Sequence, residues 1–186
     1  METSKNIVRA IAGESMARNK YTFFASKARK EGYEQIAGIF EETADNEKEH
    51  AKRLMKLLDN ETESSLENYA FPTVGDTKMN LEVAAAGENF EHTKMYPGFA
   101  KIAKEEEQKE AATVFTEIGD VEEHHEKRYL KLKENIEKGQ VFKRDSETTQ
   151  WKCRNCGYVH TGKSAPDKCP ACDHPQAFYE LLCENY

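Results

Sequence analysis

Apolar positions recur at helical spacing through most of the first 140 residues. Ile7, Ile11, Ala17, Tyr21, Phe24 and Ala28 form one stripe whose intervals are those of an amphipathic helix. This predicts a first helix over about 4–31, with Gly32 as its stop. A second stripe of Ile36, Ile39, Phe40, Leu54, Leu57 and Leu58 predicts a helix over about 34–59. Residues 60–77, rich in Asn, Ser and Thr and containing Pro72 and Gly75, read as a long connection. A third helix is expected from about Met79, capped by Thr77 or Asn80, to Glu107. A fourth is expected from Lys109 to Lys138, with Val114, Phe115, Ile118, Val121, Tyr129 and Leu132 inward and Gly139 at its end. Four helices of roughly 25 residues are each about 38 Å long. With two short turns and one long crossover they predict an all-α four-helix bundle of the ferritin-like kind.

The bundle repeats itself. Ala12-Gly13-Glu14 recurs as Ala86-Gly87-Glu88 at an offset of 74. Tyr21, Phe24, Ala25 and Ala28 recur as Tyr96, Phe99, Ala100 and Ala103 at an offset of 75, and so do Glu47 and His50 as Glu122 and His125. The change of offset puts one extra residue in the third helix between Glu88 and Tyr96, predicting a π-bulge or kink there, to which Pro97 contributes by lacking an N–H.

Glu47-x-x-His50 and Glu122-x-x-His125 place an oxygen and an imidazole on one face of helices two and four. Glu14 and Glu88 add one carboxylate from each of the other two helices. One Glu from two helices and Glu-x-x-His from the other two is a di-iron carboxylate pattern, and this donor set suits non-haem iron or manganese. A single such motif in a chain with 34 acidic residues would read as solvated surface; two, in register with the repeat, do not. Two inward carboxylates 4 Å apart repel by about 4 kcal/mol at an effective dielectric of 20, so cations or protons must accompany them. Glu91, three residues after Glu88, is a fifth glutamate where the pattern needs four. A carboxylate favours ferric iron and a neutral imidazole suits ferrous iron. Glu91 and His50 are therefore expected to compete for one iron, Glu91 when oxidised and His50 when reduced. His92 borders the set as a lesser candidate, His124 is expected to face solvent, and Tyr21 and Tyr96 are candidates to hydrogen-bond a ligand carboxylate.

The tail has different chemistry. All five cysteines fall within residues 153–183. Cys153-x-x-Cys156 and Cys169-x-x-Cys172, separated by 12 residues, make a tetrahedral S₄ site for zinc or a single iron, while Cys183 reads as an ordinary thiol. Trp151, Tyr158 and Phe178 offer a small core that needs the metal as a staple. The expected organisation is a bundle over 1–140, a linker over 141–150 and a metal module over 151–186.

Charge narrows the partners. The net charge is −7, and six Lys/Arg balance six Asp/Glu from Val141 onward, so the excess lies in the bundle. That argues against nucleic acid as a partner. A mean hydropathy of −0.87 with no long apolar run argues against a membrane span. The opening Met1-Glu2-Thr3-Ser4-Lys5-Asn6 has no apolar run of the secretory kind, and a reducing cytoplasm is expected.

These motifs together resemble the rubrerythrin family. The resemblance rests on Ala12-Gly13-Glu14-Ser15 through Tyr21-x-x-Phe24-Ala25, on Asn46-Glu47-Lys48-Glu49-His50-Ala51, on Ala86-Gly87-Glu88 with Glu91 and Met95-Tyr96-Pro97, and on Glu122-x-x-His125-Glu126. The tail, with Trp151, Gly157-Tyr158 and Ala165-Pro166 around its four cysteines, is similar to rubredoxin. The resemblance implies a non-haem di-iron peroxidase that reduces hydrogen peroxide to water. It implies Glu14, Glu47, Glu88, Glu91, Glu122 and His125 on two irons when oxidised, His50 replacing Glu91 on reduction, and Tyr21 and Tyr96 beside the site. It further implies iron on Cys153, Cys156, Cys169 and Cys172, electrons from NAD(P)H through a rubredoxin-type reductase, and a head-to-tail homodimer. No G-x-G-x-x-G occurs in the chain. The rival readings are a ferritin-like iron-binding protein that oxidises Fe(II) for storage, and a tail that is only a zinc knuckle for interaction.

Overall fold

The structure, a computed structural model, describes residues 1–66 and 69–184. Among the described residues, five α-helices build the bundle: α1 Glu2–Lys30, α2 Glu34–Met55, α3 Thr77–Phe90, α4 Tyr96–Glu105 and α5 Lys109–Glu137. Between α3 and α4 the chain makes a five-residue π segment, Glu91–Met95, so these two helices and the π segment form one long third helix. The extra residue of the second repeat is absorbed there, and Pro97 follows in the first turn of α4. α1 packs along α2, and α3 and α4 pack along α5.

Local chemistry sets the helix ends. Gly32, at φ +83°, ends α1, and the Tyr33 N–H donates to the Ala28 carbonyl at 2.9 Å. Gly139, at φ +62°, repeats this after α5, with the Gln140 N–H on the Asn135 carbonyl at 2.7 Å. Both are left-handed stops that favour glycine. The N-cap of α3 is neither Thr77 nor Asn80 but Asp76, whose side chain accepts from the Met79 N–H at 2.8 Å. Thr77 instead donates to Glu31, and Asn80 pairs with the backbone of Gly75. α2 stops at Met55 rather than Asp59, because the Leu57 N–H takes the Leu54 carbonyl in a tighter turn that half-buries Leu57 and Leu58 against the core.

Two apolar clusters fill the bundle. One joins Tyr21, Phe24, Phe40, Leu81 and Tyr129, with ring centroids 5.2 Å apart for Phe40–Tyr129 and 5.5 Å for Tyr21–Tyr129. The other joins Ile7, Leu54, Tyr96, Phe115 and Ile118. Along every long helix, a layer of buried acids falls between the two: Glu14, Glu47, Glu88 and Glu122, with His125.

The tail forms a three-stranded antiparallel sheet of order β2-β1-β3, from β1 Gln150–Cys153, β2 Val159–Thr161 and β3 Tyr179–Leu181. Trp151 is wholly buried and its indole N–H donates to the Gly162 carbonyl at 2.9 Å. Part of the stretch expected as linker pairs with the tail, Lys143 bridging to Ser164 and the Ala165 N–H reaching the Phe142 carbonyl. The tail also packs on the bundle. The Phe142 ring stacks on Tyr33 with centroids 6.2 Å apart, and the Arg154 guanidinium lies so close to Gly38 that a Cβ there would come within 2.5 Å of it. Among the described residues, no helix is long and apolar enough to cross a membrane.

Phe40 joins one apolar cluster, stacking on the Tyr21 ring with centroids 6.0 Å apart and packing against Phe24 and Tyr129. Phe40→Ala should destabilise the metal-free protein by about 3–5 kcal/mol, read from its denaturant midpoint. A loss below about 1 kcal/mol would contradict a tightly packed Phe40.

Candidate metal centres

The acid layer resolves into two overlapping groups. Glu14, Glu47, His50 and Glu122 form one, and Glu47, Glu88, Glu122 and His125 the other, the donor atoms of each lying within 4.8 Å of one another. Glu47 and Glu122 belong to both. Glu47 Oε2 lies 2.9 Å from His50 Nδ1 and its Oε1 3.3 Å from His125 Nδ1. Glu122 does the same, Oε1 at 3.0 Å from His50 and Oε2 at 2.7 Å from His125. Each of these two carboxylates thus offers one oxygen to each half of the site. Glu14 Oε2 stands 3.7 Å from His50 Nδ1, and Glu88 Oε1 3.9 Å from His125 Nδ1.

The fit to metal shows in what these atoms lack. Glu14 Oε2, Glu47 Oε1, Glu88 Oε2, both oxygens of Glu122 and His125 Nδ1 are buried without a hydrogen-bond partner. His125 Nδ1 and Glu122 Oε2 are close yet not aligned on each other, as expected of lone pairs directed at a shared third atom. So many orphaned acceptors in one buried layer would be costly without cations. Carboxylates plus imidazole suit iron, and the two groups fit a di-iron centre.

Neighbours orient the ligands. Tyr21 Oη donates to Glu88 Oε1 and Tyr96 Oη to Glu14 Oε1. The pairing is crossed between α1 and the third helix: each tyrosine lies about two turns from the glutamate on its own helix, beyond hydrogen-bond reach, and meets the carboxylate of the facing one. Gly119 makes room for Tyr96, since a Cβ there would meet Tyr96 Cβ at 3.2 Å. His125 Nε2 lies 3.3 Å from Asn46 Oδ1, which holds the ring with Nδ1 toward the acids. The internal repeat does not mark Asn46, whose repeat mate is Val121; only the family motif that begins with it includes it.

Glu91 belongs to neither group. It is half-buried at the edge of the site, on the π segment. His92 turns away to Glu126 at 2.7 Å, and His124 is exposed.

Electrostatics of the metal-free site follow from crowding. Burial raises Glu14 and Glu88 well above the usual carboxylate range, with neighbouring carboxylates pushing the same way. Burial, then Glu122, raise Glu91 to about 8. Burial opposes charge on the imidazoles, but adjacent carboxylates outweigh it, raising His50 to about 12 and His125 to about 9. Burial also raises Glu47, yet His125 and His50 bring it down to about 2.

The cysteines form a separate group. Cys153 and Cys172 sulfurs lie 3.8 Å apart and those of Cys156 and Cys169 3.6 Å. A tetrahedron with metal–sulfur bonds of about 2.3 Å has edges of about 3.8 Å, so the four thiolates fit one tetrahedral ion, as in an Fe(Cys)₄ centre. The two knuckles share one geometry: the Gly157 N–H returns to the Cys153 carbonyl and the Asp173 N–H to the Cys169 carbonyl, each residue at positive φ. A backbone N–H from His174 lowers Cys172 to about 6. Cys183 is exposed and outside this group.

Comparisons with known proteins agree with this geometry. A family model described as Rubrerythrin matches residues 5–133, and one described as Rubrerythrin, rubredoxin-like domain matches residues 151–180. The rubrerythrin of Porphyromonas gingivalis is 54% identical over 185 residues, covering 100% of this chain and 92% of that protein. The rubrerythrin of Nitratidesulfovibrio vulgaris is 52% identical over 184 residues, covering 99% and 96%. Among solved structures, fully reduced, all-ferrous nigerythrin is similar with a TM-score of 0.65 and 35% identity, covering 97% of this chain and 86% of that one.

Because the metal-free folded site holds protons that the unfolded chain would not, its stability should fall as pH rises. The contribution of His125 is full below about 6.5, its unfolded value, and is lost through about 9; that of Glu91 is lost through about 8. The Tm of the metal-free protein should therefore drop between pH 6 and 10, and ferrous loading at pH 7 should release protons, measured by calorimetry in buffers of different ionisation enthalpy. A flat Tm and no proton release would contradict a proton-holding acid layer.

Proposed function

The chain belongs to the rubrerythrin family, and from that premise we propose that it is a non-haem di-iron peroxidase reducing hydrogen peroxide to water. The observation that carries this reading is that one chain holds both a buried pair of carboxylate–imidazole groups sharing Glu47 and Glu122 and a four-thiolate group. We assign Glu14, Glu47, His50, Glu88, Glu91, Glu122 and His125 to the di-iron site, and Cys153, Cys156, Cys169 and Cys172 to an electron-relay iron.

A ferrous pair held by these residues would supply the two electrons that cleavage of a peroxide O–O bond takes up, and an iron held by the four cysteines would be the source that replenishes them. The chain's own residues do the rest. Glu47 and Glu122, each offering one oxygen to either donor group, would hold the two cations in a buried layer. Tyr21 and Tyr96 fix Glu88 and Glu14 through their phenol O–H groups and keep a proton beside each carboxylate. Glu91 stands at the open side of the site and borders a cavity of about 660 Å³, the way in for peroxide. The apolar clusters on either side of the layer exclude water from the rest of it.

The four-thiolate group favours a peroxidase over iron storage, because storage needs no dedicated electron relay. Its electrons would come from NAD(P)H through a rubredoxin-type reductase in the cytoplasm. A head-to-tail homodimer is part of this reading. Arg154, beside Cys153, rests on Gly38, nine residues before Glu47 and so about 14 Å away along α2 before the width of the bundle is added. A partner's module laid along the bundle shortens that path. Units of 1–140 and 151–186 joined through 141–150 complete the proposed organisation.

Aerobically purified, iron-loaded protein should be red from the ferric thiolate centre, and reduced protein should regain that colour on adding peroxide, two electrons being consumed per peroxide. A colourless, zinc-loaded tail, or Fe(II) oxidation that leaves peroxide unconsumed, would overturn the reading.

His50 lies inside the donor group while Glu91 stands outside it, the arrangement expected of the reduced site. Crystals of the iron-loaded protein should show Glu91 on the metal when oxidised and His50 in its place when reduced. One ligand set in both states would refute the exchange.

A further inference from the structure

The cavity beside Glu91 is far larger than hydrogen peroxide requires. It measures about 660 Å³, whereas a water molecule claims roughly 30 Å³ of liquid and peroxide is not much bigger. Volumes of this order belong to sites for organic ligands. Its wall is mostly apolar, with Met16, Phe90, Met95 and Phe99 contributed by α1, α3, the π segment and α4. Phe90 is exposed at the rim. Its charged lining is Glu91 together with Lys20, Arg9 and Lys94. Lys20 lies over the Tyr21 ring at 4.7 Å and makes no ion pair among the described residues, leaving its N–H groups free for an oxygen ligand.

Three helix-interior glycines line this same cavity: Gly13, Gly87 and Gly98. Glycine destabilises a helix interior relative to alanine, so three in one wall call for a reason. Packing does not supply it. A Cβ at Gly98 would meet nothing within 4 Å, one at Gly13 only the Tyr69 hydroxyl at 3.8 Å, and one at Gly87 only the flexible end of Lys20 at 3.4 Å. What the three positions preserve is open volume in the cavity that Glu91 lines.

Resting on the peroxidase reading, we propose that this cavity is a binding site for hydrophobic organic hydroperoxides, which the protein reduces to alcohols. The –OOH end would sit at Glu91 and Lys20, and the hydrocarbon body against Met16, Phe90, Met95 and Phe99. The O–O bond breaks, the hydroperoxide takes up two electrons and two protons, and the products are one alcohol and one water, with the ferrous pair as electron donor.

The test uses cumene hydroperoxide as substrate and its product, 2-phenyl-2-propanol, as a non-reacting probe. The alcohol should bind the metal-free full-length chain with 1:1 stoichiometry by calorimetry. Gly98→Leu, which fills the cavity from a position where a side chain meets no neighbour, should weaken that binding at least about tenfold and lower kcat/KM for cumene hydroperoxide to the same degree. Turnover of hydrogen peroxide, a far smaller molecule entering by the same cavity, should fall by a clearly smaller factor. Gly98→Ala, a milder filling that favours the helix, should give an intermediate loss. No binding of the alcohol, or binding indifferent to both substitutions, overturns the proposal. Turnover of hydrogen peroxide without turnover of cumene hydroperoxide overturns it alone, and failure of both peroxides brings down the peroxidase reading with it.

Discussion

Four glutamates and two imidazoles meeting inside one helical bundle impose a single electrostatic constraint: their charge must be neutralised where water cannot reach. In the metal-free chain the imidazoles and retained protons meet it, with His50 and His125 held as cations against Glu47 and Glu122. Metal ions meet it better, because a divalent cation serves several carboxylate oxygens at once. Each ion entering the site must displace protons, which couples metal uptake to pH through the same residues.

The rest of the bundle serves that layer. Aromatic and aliphatic side chains pack tightly on both sides of it, so the acids cannot swing out to solvent without breaking a core. Alanines at Ala10, Ala25, Ala28, Ala37, Ala84 and Ala103 are buried between helices, and such small residues let four backbones approach closely enough for side chains from all of them to converge. Tyr21 and Tyr96 belong to the apolar clusters through their rings and to the polar layer through their hydroxyls. They tie the position of the metal-binding carboxylates to the packing of the core.

The two repeats are not equivalent, and the inequality falls at the site. The first half carries a regular α1; the second carries the π segment Glu91–Met95. A π turn widens the helix locally and re-aims the turns after it. It gives the second half a carboxylate, Glu91, at the edge of the site with no counterpart in the first, and it opens the wall on which the large cavity stands. A near-symmetric bundle thereby acquires one open side.

Much of this was legible in the amino-acid order, because it depends on spacing within one element. Helical periodicity gave the long helices, the Glu-x-x-His pairs gave donors on a common face, and the change of repeat offset located the π segment. The paired C-x-x-C motifs marked the thiolate group by spacing alone. Tertiary structure alone decided relations between elements. It set the crossed pairing of Tyr21 with Glu88 and Tyr96 with Glu14, the sharing of Glu47 and Glu122 by both donor groups, and the support of His125 by Asn46. The seating of Arg154 on Gly38 and the gathering of three glycines along one cavity belong to the same class. Such contacts depend on how far each helix is rotated and slid against its neighbours. Those two quantities are set by the packing of the whole core, and no local spacing along the chain encodes them.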